Sequence, residues 1–182
     1  MKHPILLTVA LLLVLSACQQ KDEKKGPLIF FDLAGYLDRE AARIGEQSDV
    51  IKTITMNGVT ETKRMEQYAW TSEFSLLRQW DINRPAWRDQ YQRDTLLTGD
   101  QVLYRYQCLD DDLQVRLMEI WTRAGQTDSL RLTTRVDNPL RTTEGVYRYS
   151  PTTGLHMAQV SSKRFGSDQD LEVTVRPVGS GD

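Results

Sequence analysis

Phe30, Phe31, Leu33, Leu37, Ala41 and Ile44 recur at spacings of three and four. That period predicts an amphipathic helix over 33–44. Asp32 can cap its start, and Gly45 follows its last apolar position. Gly35 lies inside it and lowers its intrinsic propensity. Two β-prone runs come next, over 50–56 and 59–64, joined by Asn57-Gly58. Both turn residues tolerate the positive φ of a type I′ turn, so the pair predicts a hairpin. A second helix is predicted over 70–82. Phe74 and Leu77 fall on the face of Trp70, Thr71 or Ser72 can cap it, and Glu73 suits its positive end. Asn83-Arg84-Pro85 stops it.

From Ala86 onward the period is two. Strands are predicted over 88–95, 101–108, 113–122, 128–136, 142–150, 154–162 and 170–176, with turn residues between most of them. No helical segment separates them, so the connections suit an antiparallel meander rather than βαβ units. Alternation places Leu113, Val115 and Leu117 on one face, and likewise Leu130 with Leu132, and Leu171 with Val173 and Val175. Met118 and Ile120 break that parity, which predicts a bulge or burial on both faces. The expected fold class is α+β: two N-terminal helices and a hairpin packed on a long curled antiparallel sheet, tending to a half-barrel.

The first eighteen residues follow a different rule. A cationic start, an apolar run from Pro4 to Leu15 and small residues before Cys18 describe a secretory leader. The run is shorter than the roughly 20 apolar residues a spanning helix needs. Leu15-Ser16-Ala17-Cys18 resembles the lipobox of bacterial lipoproteins. The resemblance implies cleavage between Ala17 and Cys18, lipidation of Cys18, and attachment to a membrane. After Cys18, residues 19–27 are charged, lack apolar residues and end in Gly-Pro, so 18–27 is expected to be the lipidated cysteine and a disordered tether. Residues 28–178 are long enough for a single globular domain, and 179–182 form a flexible tail. Gln19 in place of an acidic residue after the cysteine leans towards the outer membrane. Lys21-Asp22-Glu23 resembles the short export signal that carries some Bacteroidota lipoproteins to the cell surface.

Charge narrows the partners. Removal of a leader containing Lys2 leaves 22 basic against 25 acidic side chains. Without a cationic excess there is no electrostatic footprint for nucleic acid. Apart from Cys18 the chain has one cysteine, Cys108, so acylation of Cys18 precludes an internal disulfide. Cys108 reads as a small buried hydrophobe.

Candidate chemistry is sparse, and the sequence names no catalytic, metal or cofactor set. His156 is the sole histidine after the leader and alternates with Leu155 and Met157, which turns it away from their face. No nucleophile elbow, zinc ligand set or phosphate loop is present. Asp110-Asp111-Asp112 and Asp168/Asp170/Glu172 read as solvated turns before cation sites. Tyr104 with Tyr106, and Tyr147 with Tyr149, stripe single strand faces and read as packing before stacking platforms. Arg105, Arg116, Arg131, Arg135 and Arg148 recur along the strands; an anion-binding face or cross-strand charge pairing would account for them, pairing being the simpler.

The segment Phe31–Ala41, the Asn-Gly hairpin and Asp81–Arg88 together resemble a group of uncharacterised Bacteroidota outer-membrane lipoproteins. That resemblance implies an envelope location and no active site. The expected function is a lipid-anchored envelope protein, non-enzymatic, engaged in binding or assembly at the outer membrane, on its periplasmic face or at the cell surface. Its partner would be an envelope protein or an apolar ligand held between helices and sheet. The alternative is an anchored hydrolase using paired carboxylates on glycans.

Overall fold

The computed structural model describes residues 28–45 and 48–178. Ala17, Cys18, Lys21, Asp22 and Glu23 lie outside the described residues, as do the segments expected to be a leader, a tether and a tail. Among the described residues no helix is long and apolar enough to cross a membrane.

Helix α1 spans Leu33–Ile44. Asp32 caps it by accepting from Gly35 N at 2.9 Å. The glycine has a reason to be there: a Cβ at position 35 would lie 2.0 Å from the Asp32 carboxylate. The cap therefore fills the space a larger residue would need. Gly45 ends the helix in a left-handed conformation, φ 70°, with its N–H on Ala41 O.

The hairpin forms with β1 at Val50–Met56 and β2 at Val59–Met65. Helix α2 runs over Trp70–Arg78, so it ends a turn before Ile82. Its N-cap is Ala69 and makes no side-chain bond, which puts Thr71 and Ser72 inside the first turn instead. Trp80 and Ile82 remain buried beyond the helix because a chain of turns carries on into the core. Asn83 fixes that exit. Its Oδ1 accepts from Ile29 N and Phe30 N, and its Nδ2 donates to Phe31 O at 2.8 Å. A short 3-10 turn, Pro85–Trp87, leads into the sheet.

The remaining strands are β3 (Tyr91–Thr98), β4 (Gln101–Cys108), β5 (Val115–Arg123), β6 (Gln126–Asn138), β7 (Arg141–Ser150), β8 (Gly154–Lys163) and β9 (Gln169–Pro177). Together the nine strands form one sheet in the order β2-β1-β9-β8-β7-β6-β5-β4-β3. Every pairing is antiparallel. β3 through β9 are a meander; the N-terminal hairpin joins its far edge through β1 on β9. The sheet does not close into a barrel, since β2 and β3 end it. Few helices on a large antiparallel sheet agree with the α+β expectation.

One sheet face meets both helices. Trp70, Phe74 and Tyr149 are almost fully buried there, with ring centroids 5.0–6.2 Å apart. Leu33, Leu37, Leu77, Met118, Leu130, Leu132 and Val175 complete this interior. Edge-on aromatic contacts and burial of such large side chains are the principal stabilising terms. Glu40 and Glu73 enter the same core with partners. Tyr149 and Arg43 bond Glu40; Tyr68 and Lys52 bond Glu73, the lysine at 2.5 Å.

β5 corrects one grouping of side chains. The register slips between Val115 and Leu117. Val115 faces the core together with Met118 and Ile120, whereas Leu117 goes to the opposite face with Glu119 and Trp121. The parity break in the sequence is this bulge.

Candidate functional site

The sheet face turned away from the helices carries the chemistry. Register aligns one side chain from each of the nine strands into a single row. In spatial order from β3 it reads Asp94, Arg105, Glu119, Arg131, Arg148, His156, Thr174, Thr53 and Thr62. Directly opposed side chains on neighbouring strands sit close enough to interact strongly. Its first five members, Asp94 to Arg148, therefore form a linear array of charges.

Glu119 is its anchor. Only 4% of it is exposed, although it lies on the face without helices. Arg105 covers it with Nε and Nη2 on Oε1 at 3.1 and 2.9 Å, and Arg131 Nη1 stands 3.7 Å from Oε2. Two guanidinium groups thus neutralise one buried carboxylate. Signs alternate from Asp94 to Arg131. They then fail to alternate: Arg148 follows Arg131 directly across β6 and β7.

Arg148 has no acidic partner among the described residues. Its Nη1 lies 3.4 Å from His156 Nδ1, and His156 Nε2 lies 2.8 Å from Glu172 Oε1. The neutral tautomer with its proton on Nε2 satisfies both contacts, because arginine only donates. In that state His156 brings no negative charge to Arg148. Arg131 also holds a surplus donor: its Nε is buried and finds no acceptor.

A cavity of about 440 Å³ opens over this point, within the range of about 300–1,000 Å³ usual for small-molecule sites. Ser129–Arg131 of β6 and Arg148–Ser150 of β7 form its floor. Leu130 and Tyr149 point their side chains into the core, so they contribute main chain. Trp121 of β5 and Gln101 of β4 form one side, and Thr153 of the β7–β8 turn the other. The arrangement offers two guanidinium forks, three hydroxyls, an amide and an indole. Such a set can bind and orient; its lining residues include no histidine, cysteine or carboxylate.

Two smaller cavities lie at the helix margin. One, about 370 Å³, sits between α1 and α2 around Asp38, Ala41 and Trp70. The other, about 250 Å³, is bounded by Arg43, Tyr149 and Pro177. Asp38 is the one carboxylate lining any of the three cavities.

The strand arginines separate into two groups. Four of the five singled out from the sequence make ion pairs: Arg105 and Arg131 with Glu119, Arg116 with Asp111, and Arg135 with Asp137 and Glu144. The Arg135–Asp137 contact holds the Asp137 carboxyl below its usual range. Arg148 is the exception. Tyr106, Tyr147 and Tyr149 are buried as packing, while Tyr104 is exposed at the edge of the same face. Cys108 is half-buried against the core, and His156 faces away from Leu155 and Met157. In the triple-aspartate turn Asp110 Oδ1 accepts from Asp112 N. No group of three or more potential metal ligands gathers among the described residues. Trp121, Ser129 and Ser150 were not legible as site residues, because only register brings them beside Arg131 and Arg148. No family model, curated protein or solved structure matches this chain.

Proposed function

We propose that this chain is a lipid-anchored bacterial envelope protein that works by binding rather than by catalysis. Acylation of the Cys18 thiol would come first, cleavage between Ala17 and Cys18 would then free its α-amine for a further chain, and residues 18–27 would tether the domain. Gln19 supports an outer-membrane address, and Lys21-Asp22-Glu23 supports display at the surface. The observation that carries the reading is the Leu15-Ser16-Ala17-Cys18 ending of an apolar run too short to span a bilayer. One acyl chain anchors only marginally, so the reading requires more than one on Cys18.

The binding role is supported by the cavity over Arg131 and Arg148, whose groups recognise a ligand and whose hydroxyls have no histidine or carboxylate in the lining to activate them. Radiolabelled palmitate in the native host tests the anchor. The wild-type chain takes up label and fractionates with membranes; Cys18→Ser takes up none and keeps its leader. Equal labelling of both would overturn the reading.

A further inference from the structure

We infer that the cavity over Arg131 and Arg148 is a binding site for a sugar acid, a hydroxylated ring carrying a carboxylate. The inference rests on the proposed binding role and gives it a ligand class.

Three observations converge. Two arginines stand directly opposite on adjacent strands, where like charges repel. Glu119 already bonds Arg105 and relieves Arg131 alone, so positive charge is left at Arg148. An anion seated between the two guanidinium groups would extend the alternation that runs from Asp94 to Arg131. Planar guanidinium forks suit a carboxylate because each can donate parallel N–H bonds that the carboxylate oxygens accept. Arg131 Nε is a buried donor without an acceptor, so a turn of its guanidinium towards a ligand oxygen would give up no existing hydrogen bond at that atom.

The rest of the cavity argues for more than a bare anion. At about 440 Å³ it exceeds what one small ion fills. Ser129 supplies a hydroxyl for ring hydroxyls, beside Ser150, whose Oγ also bonds Thr152, and Gln101, whose Nε2 donates to Asp128 at 2.9 Å and whose Oε1 can accept. Trp121 supplies an indole, half-buried, that packs on no other ring and under no cation among the described residues. An indole gives a flat apolar surface for the C–H face of a sugar ring while its N–H remains available to a polar partner.

Calorimetry on the full-length protein in non-ionic detergent tests the assignment, with glucuronate, glucose and inorganic phosphate as separate probes. Glucuronate is expected to bind at least about tenfold more tightly than either of the others. Arg148→Gln should weaken glucuronate by about tenfold or more, Arg148→Lys by less, and Arg164→Gln, on the remote β8–β9 turn, not at all. Added salt should weaken binding. Circular dichroism on each variant confirms folding. Absence of glucuronate binding, or binding untouched in folded Arg148→Gln, overturns the site. Equal affinity for glucose overturns the role of the charge, and equal or tighter phosphate binding overturns the sugar. None of these results bears on palmitate labelling of Cys18, so the anchor and the ligand fail separately.

Discussion

Tyr149 reaches from β7 across the core to α1, where its hydroxyl donates to Glu40 Oε2 at 2.8 Å. The two residues are 109 positions apart in the chain. Burial pushes the Glu40 carboxyl up, but hydrogen bonds from Arg43 and Tyr149 outweigh it and hold the group below its ordinary value. A depressed carboxyl contributes stability that is complete above the unfolded value, near about pH 4.3, and fades as pH falls through the folded one. Urea titrations across that window should show Glu40→Gln destabilising at neutral pH, with the gap from wild type closing in acid. Tyr149→Phe should cost about 1.5–3 kcal/mol at neutral pH, the range for hydrogen bonds to charged groups. A gap that stays constant with pH would place the loss in packing instead.

Lys52 and Glu73 tie the hairpin to α2 at 2.5 Å, with Tyr68 as the second donor to the same carboxylate. Glu73 is only 7% exposed, so removing its cation leaves charge in the interior. Lys52→Ala should cost about 3–5 kcal/mol. The double change Lys52→Met with Glu73→Leu should recover part of that, because desolvation of both ions disappears together while the buried Tyr68 hydroxyl loses its acceptor. Chemical denaturation of the two variants decides it; a double variant weaker than the single would contradict the account.

Gly154 and Gly58 both have left-handed φ, +81° and +82°, yet differ in surroundings. A Cβ on Gly58 meets nothing within 4 Å, whereas one on Gly154 would lie 2.1 Å from Val175 O. Gly58→Ala should cost about 1–2 kcal/mol, the backbone strain alone. Gly154→Ala should cost clearly more, since β8 must move off β9 to admit the methyl. Thermal melts of the pair give the comparison.

Arg148→Gln should leave the ligand-free protein as stable as wild type or more so. Relief of cross-strand like-charge repulsion is worth about 0.2–1 kcal/mol. A melting temperature that rises in low salt, and rises less in high salt, would identify charge as the cause. Such a gain at a position that also holds ligand is the usual trade between stability and function.

Much of the architecture was legible in local pattern. α1, the Asn57-Gly58 hairpin and the meander strands follow from period and turn residues, which act over a few positions. Helix α2 stops at Arg78, short of the 82 that the pattern predicts, because Trp80 and Ile82 keep the apolar pattern after the helical hydrogen bonds stop. The strand order was not legible: β1 joins β9 through contacts no local pattern encodes. The site was invisible for the same reason. Arg131 and Arg148 look like two more strand arginines until register sets them face to face. Glu119 betrays nothing in sequence of its burial, which depends on arginines arriving from two other strands.

The pairing of β1 with β9 also sets a timetable. Asp170 N donates to Asn57 Oδ1 across 113 positions, so a chain emerging from a ribosome or an export pore presents its first hairpin long before that hairpin's partner. The meander from β3 to β8 meets each neighbour in turn and can assemble as it appears, local contacts being the quick ones to form. The leading hairpin must wait, unpaired along β1, until residues 169–177 arrive. A polypeptide stalled or truncated before that point would carry an open strand edge, and would be the species most prone to join other chains.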